Sequence, residues 1–271
     1  MIIKDLGALE GPVLLYGGPY SNLQATRAVF AMADVVGIAP PARICTGDVV
    51  AYCADPVDTA RLVLAEGGAL VAGNCERQLA AGAQDCGCGF DGGSTCDILS
   101  KGWYPHALRA LMPHDDIRAA FAAAPDIAVF AQGAKRFAVI HGGLSDIARF
   151  IWSTSPDAVF AEEIALIEAA AGPIDGVIAG HSGMAFTRSV GRHLWINAGV
   201  IGMPANNARQ STAFAILENA SPRIGKLSYD AETAAAAMVA AGLTQGYDAA
   251  LITGLWPSED VLPSDLKRVS V

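Results

Sequence analysis

The sequence lacks the features that direct a chain to a membrane or to a nucleic-acid backbone. None of its apolar runs approaches the roughly 20 residues that a membrane-spanning helix requires. Its N-terminus has no long apolar segment of the kind found in signal peptides. It has no block of like charge, and its net charge of −9 opposes binding to a phosphate backbone. We therefore expect a cytoplasmic protein that binds neither a membrane nor a nucleic-acid backbone.

The sequence also shows no internal repeat at solenoid spacing and contains few charged residues. With 271 residues, of which 52% are hydrophobic and 17% charged, the chain is long enough to bury a large core. We treat residues 1–271 as a single domain. The six cysteines of a cytoplasmic chain are expected to be reduced, metal-binding or catalytic rather than joined in disulfides.

The first third of the chain alternates between short apolar runs and helical patterns. Strands are predicted at residues 13–16, 43–46 and 69–72, and helices at residues 22–34 and 56–66. Short connections between such units favour a parallel sheet covered by helices. Residues 82–102 follow this pattern with no periodicity and are rich in Gly, Cys and Asp, so we predict an irregular excursion there.

The rest of the chain favours antiparallel pairs. Hairpins are predicted to join residues 127–131 to 136–140, 185–190 to 193–197, and 212–217 to 224–229. A strand at 176–179 and helices at 158–171 and 231–241 complete the pattern. Early parallel units and late hairpins together predict an α/β fold of two packed sheets with helices outside. Pro257 and Pro263 oppose regular structure, so residues 254–263 are predicted to pack as an irregular strap.

Polar side chains stand where four predicted strands end. They belong to the pairs Gly47-Asp48, Gly73-Asn74, His141-Gly142 and Gly180-His181. In open α/β sheets the ligand site lies outside the carboxyl ends of the strands, so we expect these side chains to converge. A carboxylate, an amide oxygen and two imidazoles are suitable ligands for zinc, manganese or iron. The sequence therefore predicts a divalent metal site formed by Asp48, Asn74, His141 and His181.

These motifs carry a resemblance to a known family. The order of GD, GN, HGG and GH, followed by INAGVIGMP at 196–204, resembles the calcineurin-like metallophosphoesterases. Within that superfamily, TGDVVAYCADP at 46–56 and LSYDAETAAAAMVAAGL at 227–243 are similar to the small bacterial branch related to diadenosine tetraphosphatases and phosphodiesterases. The resemblance covers most of the chain. It implies a four-layer α-β-β-α sandwich, with two mixed sheets flanked by helices, around a two-metal phosphoesterase site.

The chain departs from this family at three motifs. Where the family has Asp-x-His-Gly-Asn, this sequence has Gly18-Pro19-Tyr20-Ser21-Asn22. Where the family has the second histidine of Gly-His-x-His, this sequence has Gly183. The resemblance thus implies that one metal site has lost its ligands, while the other keeps Asp48, Asn74, His141 and His181. We expect one divalent ion, which is manganese, zinc or iron. Replacing Gly18 by Asp and Gly183 by His is expected to move the site toward two ions, provided the backbone still matches.

Two residues at the altered motifs have alternative interpretations. Cys75 stands where the family has a histidine that assists at the phosphoryl oxygen or the leaving group, so it is either a catalytic proton donor or a small buried filler. Tyr20 either presents its hydroxyl to a phosphate or a metal, or packs in the core. A separate hypothesis assigns Cys75, Cys86, Cys88 and Cys96 to a structural zinc ion, although they lack the common C-x2-C spacing.

The resemblance implies a function with one alternative. It implies a metal-dependent hydrolase that cleaves a phosphate mono- or diester with metal-activated water, and therefore a small phosphorylated substrate. The alternative is a non-catalytic binding or scaffold protein that retains the metallophosphoesterase fold. Metal content and turnover of a generic phosphodiester would separate the two.

Overall fold

Two sheets of largely buried strands lie face to face. The computed structural model describes residues 1–268. Within them the strands are β1 (Ile3–Ala8), β2 (Val13–Tyr16), β3 (Arg43–Cys45), β4 (Ala69–Leu70), β5 (Ile127–Gln132), β6 (Lys135–Val139), β7 (Gly176–Ala179), β8 (Phe186–Val190), β9 (His193–Asn197), β10 (Thr212–Glu218) and β11 (Ser221–Leu227). The helices are α1 (Leu23–Val35), α2 (Pro56–Glu66), α3 (Asn74–Ala81), α4 (Thr95–Leu111), α5 (Asp115–Ala123), α6 (Asp157–Ala171), α7 (Ala231–Ala240) and α8 (Tyr247–Thr253). Short 3-10 turns at Pro40–Ala42 and Ser264–Leu266 complete the elements.

Both sheets are mixed. One has six strands in the order β1-β5-β6-β7-β9-β8, and the other has five in the order β11-β10-β2-β3-β4. The early strands β2, β3 and β4 are parallel, whereas β5/β6, β8/β9 and β10/β11 are antiparallel pairs. The three predicted hairpins and the early parallel unit are therefore confirmed. A two-residue turn at Gly133 and Ala134 sets the β5/β6 register, with Gln132 opposite Lys135.

Three hydrophobic clusters separate four layers. In β5, Ala128 and Phe130 face the cluster between the two sheets, whereas Ile127 and Val129 face the cluster beneath α6. This alternation follows from the two-residue period of a strand. The third cluster lies between the five-stranded sheet and its covering helices, including α1, α2, α4 and α7. The predicted four-layer α-β-β-α sandwich is confirmed, because each sheet has one face on its partner sheet and one on helices.

Several elements differ from the sequence-based prediction. The irregular excursion predicted at 82–102 ends at residue 94, because α4 begins at Thr95 with the Ser94 side chain accepting a hydrogen bond from the Asp97 N–H. Strand β1 was missed because most of its residues are exposed, so it lacks the apolar alternation of a half-buried strand. Strand β4 ends at Leu70, two residues earlier than predicted.

The segment before the C-terminus lies against the sandwich without regular structure, as predicted. The Trp256 N–H donates to Asn206 Oδ1 at 2.8 Å, and its indole Nε1–H donates to the Pro204 carbonyl at 2.6 Å. The Asp260 carboxylate accepts a hydrogen bond from the Thr95 N–H at the start of α4, and Leu262 is buried. We call residues 254–263 the strap. Among residues 1–268, no helix combines the length and apolar character needed to cross a membrane.

Candidate metal centre

Four strand ends bring the predicted ligands to one place. Asp48 follows β3, and Asn74 opens α3 after β4; His141 and His181 follow the neighbouring strands β6 and β7 of the other sheet. Strands of both sheets therefore contribute residues at their carboxyl ends to the site. Asp48 and His181 adopt left-handed backbone angles, with φ of +57° and +59°, which are uncommon for non-glycine residues but which Asp and His adopt more readily than most.

The donor atoms of these side chains have the spacing of one coordination shell. His141 Nε2 lies 3.0 Å from His181 Nδ1, 3.1 Å from Asn74 Oδ1 and 3.4 Å from Asp48 Oδ2. His181 Nδ1 is 3.9 Å from the same Asp48 oxygen. With metal–ligand bonds of about 2.1 Å, neighbouring ligand atoms lie about 3.0–3.4 Å apart. The four residues thus fit a single ion, and all four are buried.

The orientation of His141 is fixed from behind the cluster. Its Nδ1 lies 2.6 Å from the Thr46 carbonyl oxygen, which only accepts, so Nδ1 carries the proton. In the neutral ring the Nε2 lone pair is then directed at the cluster, which is the arrangement of a metal-binding histidine. The close approach depends on Gly47, whose φ is +101° and where a Cβ would lie 2.7 Å from His141 Nδ1.

The charges of the cluster favour a cation. Burial opposes ionisation of Asp48, but the neighbouring His141 and His181 outweigh it and lower the pKa of Asp48 to about 2. Burial and then His141 lower the pKa of His181 to about 4, so this ring is neutral and free to bind a metal near pH 7. Asp48 Oδ1 is buried without a hydrogen-bond partner among the described residues. An unsatisfied buried carboxylate oxygen is costly, and a bound cation would relieve that cost.

Glu76 is a buried residue of the site that sequence reasoning missed. Its carboxylate accepts hydrogen bonds from the N–H groups of Asp48 and Gly73 at 2.8 Å and of Val49 at 2.7 Å. Burial raises its pKa, and the Asp48 charge adds to that effect. The side chain ties the Asp48 loop to the start of α3, where Asn74 lies. A glutamate three residues after the N-cap of a helix is a recognised helix-start signal, and this spacing could have identified Glu76 from the sequence.

The cysteine-rich segment orients Asn74 rather than forming a four-cysteine zinc site. Asn74 Nδ2 donates to the Cys86 carbonyl at 2.9 Å and lies 3.3 Å from Cys88 Sγ, which turns Oδ1 toward His141. Cys96 lies elsewhere, with its Sγ 3.5 Å from Ser258 Oγ. Within residues 1–268, the one group of three or more metal-ligating His, Cys, Asp or Glu side chains is Asp48, His141 and His181. The hypothesis of a structural zinc ion on four cysteines is therefore not supported.

Cys75 lies in the buried interior behind Asn74. A contact with Cys88 lowers the pKa of the Cys75 thiol, but burial and the nearby Asp48 carboxylate outweigh it and raise that pKa well above its usual range. A thiol that holds its proton so tightly is a weak acid near neutral pH. Of the two interpretations of Cys75, the structure favours the buried filler, and the catalytic role stays a prediction.

Apolar groups crowd Gly18, where the family resemblance places a ligand of the other metal site. A Cβ at Gly18, whose φ is +45°, would lie 2.5 Å from Val200 Cγ1 and 2.7 Å from Tyr20 Cζ. A Cβ at Gly183 would lie 3.5 Å from the Trp256 ring. An Asp at position 18 therefore has no space, and the structure argues against the expected gain of a second ion by the double replacement. Tyr20 packs edge-to-face on Tyr52, and burial raises its pKa far above neutrality, which disfavours a tyrosinate ligand.

A cavity opens beside the cluster on the side of His181. The space not filled by atoms in this region is about 530 Å³ and includes open solvent. Besides His181, its lining includes the aromatic residues Tyr20, Tyr52, Phe90, Phe150, Tyr247 and Trp256. His181 is the one predicted ligand in this wall, so the cavity adjoins the predicted metal site.

Solved structures share this fold over nearly the whole chain. A metallophosphoesterase from Sphaerobacter thermophilus aligns with a TM-score of 0.67 and 17% identity, covering 91% of this chain and 100% of its own. A hypothetical protein from Pyrococcus horikoshii OT3 aligns with a TM-score of 0.69 and 14% identity, covering 90% of this chain and 98% of its own. No protein-family model and no curated protein sequence matches the chain. The chain has the calcineurin-like metallophosphoesterase fold that its motifs led us to expect.

Proposed function

We propose that this protein is a metal-dependent phosphoesterase-like hydrolase with a single divalent ion held by Asp48, Asn74, His141 and His181. The supporting observation is the convergence of four buried donor groups from separate strand ends at the spacing of one shell. The fold supports the reaction class, because one protein that shares it is a metallophosphoesterase. Two imidazoles and two oxygens accommodate manganese, zinc or iron.

The residues of the chain hold the site ready for a cation. The Thr46 carbonyl keeps the His141 proton on Nδ1, away from the cluster. The Cys86 carbonyl holds the Asn74 amide so that its oxygen faces His141. Asp48 supplies the one formal negative charge among the four ligands. A divalent ion bound there polarises a phosphoryl oxygen and acidifies water.

The substrate proposed for this site is a small phosphate ester. Gly18 and Gly183 offer no ligand side chains, so the clamp on attacking and leaving oxygens that two ions provide is missing. We therefore expect slower turnover than in a two-metal enzyme. If the protein hydrolyses no phosphate ester, the alternative is a binding or scaffold protein that retains the fold.

Metal content and turnover test the proposal together. Protein purified without chelator would be loaded with manganese, zinc or iron, washed, and analysed for metal and for hydrolysis of bis(4-nitrophenyl) phosphate. We expect one equivalent in the native protein and loss of most metal and turnover in His181→Ala. His193→Ala is the matched control, because His193 lies on β9 beside Glu168 and outside the cluster.

Three outcomes would contradict the proposal in different ways. Two equivalents at the cluster would show that other residues have replaced the lost ligands. Metal binding that depends on His181 but gives no turnover would support the binding-protein alternative. No bound metal under any loading condition would reject both the single-ion site and the hydrolase.

A further inference from the structure

We propose that the cavity beside Gly183 and His181 is a pocket for a planar aromatic group, and that the ligand is a phosphodiester carrying such a group. Its phosphate would lie at the cluster of Asp48, His141 and His181, and its ring in the cavity beside it. The phosphate half of this inference rests on the proposed function. The aromatic half rests on the cavity itself.

The cavity is lined by rings where the family resemblance would place metal ligands. Tyr20 stands in the altered first motif, and its ring centroid is 4.7 Å from that of Tyr52. Tyr52 in turn lies 4.5 Å from Tyr247, so three tyrosine rings form a continuous wall. Trp256 lies at Gly183, where the family has a second histidine. Rings in such numbers offer stacking and edge contacts to another ring.

The aromatic wall extends to the predicted metal ligands. The Phe150 ring centroid is 4.4 Å from that of His181, and Phe90 stacks near Phe150 at 6.5 Å. A ring seated in the cavity would therefore be within one ester bond or a short linker of the cluster. An aliphatic ester would reach the cluster equally well but would leave these ring faces without aromatic contacts.

The strap fixes the Trp256 side of the pocket. The main-chain N–H and indole Nε1–H of Trp256 are held by Asn206 and Pro204, at 2.8 Å and 2.6 Å. Ser258 and Val261 of the same strap also line the cavity. A side chain held in this way loses little further freedom when a ligand binds, which favours affinity.

The charge of the pocket selects a diester over a monoester. Among the described residues that line it there is no Lys or Arg. The Asp48 carboxylate belongs to the cluster, and the buried Glu76 carboxylate accepts a hydrogen bond from the Asp48 N–H, so both oppose added negative charge. A phosphomonoester carries about −1.5 to −2 at neutral pH, whereas a diester carries a single charge. These carboxylates offset the charge of one divalent ion, which favours the ligand with the smaller negative charge, the diester.

Equilibrium binding tests this inference without requiring turnover. Manganese-loaded protein would be titrated calorimetrically with diphenyl phosphate, dimethyl phosphate and phenyl phosphate. We expect diphenyl phosphate to bind at least about tenfold more tightly than dimethyl phosphate, because ring contacts in a buried site each add severalfold. We also expect it to bind more tightly than phenyl phosphate, which has a ring but a second charge.

Substitutions in the cavity wall test whether the ligand's ring binds there. Trp256→Leu and Tyr247→Leu should each weaken diphenyl phosphate about five- to tenfold while leaving metal content and dimethyl phosphate affinity unchanged, and Trp256→Phe should restore part of the loss. Phe186→Leu is the matched control, since Phe186 packs on Phe160 beneath α6 and outside the cavity.

The outcomes separate this inference from the proposed function. Equal affinity for diphenyl and dimethyl phosphate, or equal losses in Phe186→Leu and Trp256→Leu, would reject the aromatic pocket even if the protein hydrolyses phosphodiesters. Tighter binding of phenyl phosphate than of diphenyl phosphate would reject the diester selection. Selective, Trp256-dependent binding of diphenyl phosphate without hydrolysis of any ester would support the pocket and reject the hydrolase.

Discussion

Replacing Gly18 by alanine tests whether apolar side chains fill the missing metal site. The added Cβ would lie 2.5 Å from Val200 and 2.7 Å from Tyr20, so the core must shift, at a cost of about 1–3 kcal/mol for overpacking. The left-handed backbone at φ +45° adds about 1–2 kcal/mol for any residue with a Cβ. We therefore expect Gly18→Ala to lower the free energy of unfolding by about 2–5 kcal/mol.

The matched control is Gly37→Ala. Gly37 also has a left-handed backbone, with φ of +76°, but no atom lies within 4 Å of the Cβ it would gain. It should lose only the backbone term, about 1–2 kcal/mol. Urea unfolding at constant protein concentration measures both. Equal losses in the two variants would refute the reasoning, because the packing term would then be absent at position 18.

The crowding at Gly18 also limits the number of metal ions that a variant could bind. Gly18→Asp combined with Gly183→His should still bind at most one equivalent of manganese or zinc, because the space for a carboxylate at position 18 is taken by Val200 and Tyr20. Elemental analysis of the folded variant checks this. A second equivalent in that variant would show that Val200 and Tyr20 move aside more easily than their close packing indicates.

Three further predictions follow from the residues around the cluster. Glu76→Gln should lower the free energy of unfolding by about 1–3 kcal/mol and weaken metal binding, because the amide –NH₂ cannot accept and leaves at least one of the three buried N–H groups without an acceptor. Chemical unfolding and metal titration check it, and unchanged values would contradict it. Burial lowers the pKa of His141, but Asp48 outweighs it and raises that pKa overall, so the ring loses its proton only as the pH rises past the usual histidine pKa of about 6.5. Manganese affinity should therefore fall about tenfold per pH unit below the His141 pKa, with proton release on binding measured by calorimetry in two buffers. A flat affinity profile between pH 5 and 7 would count against His141 as a ligand. Cys75→Ala should leave turnover of a phosphodiester within about threefold, because the protonated thiol is a poor acid, and a loss above a hundredfold would restore the catalytic role.

The framework of the site could be predicted from the sequence alone. The apolar run of β2 indicates a buried strand, and the two-residue turn at Gly133 and Ala134 sets the register of the β5/β6 hairpin. The polar residues at strand ends could be placed together because parallel strands bring their carboxyl ends to one edge. This rule accounts for the meeting of Asp48 with Asn74, and of His141 with His181, because each pair follows parallel strands of one sheet. The predicted convergence of the two pairs also needs the two sheets to pack face to face.

The support of the site and its neighbouring groups could not be predicted, because they depend on how the layers pack. The pairing of Glu76 with three N–H groups, and of Asn74 with the Cys86 carbonyl, depends on loops whose paths no periodicity predicts. Trp256 reaches Gly183 from a strap more than 70 residues away, and such a contact is visible only once the layers are packed. Strand β1 pairs with β5 although its own residues are exposed, because backbone hydrogen bonds rather than side-chain burial hold it at the sheet edge.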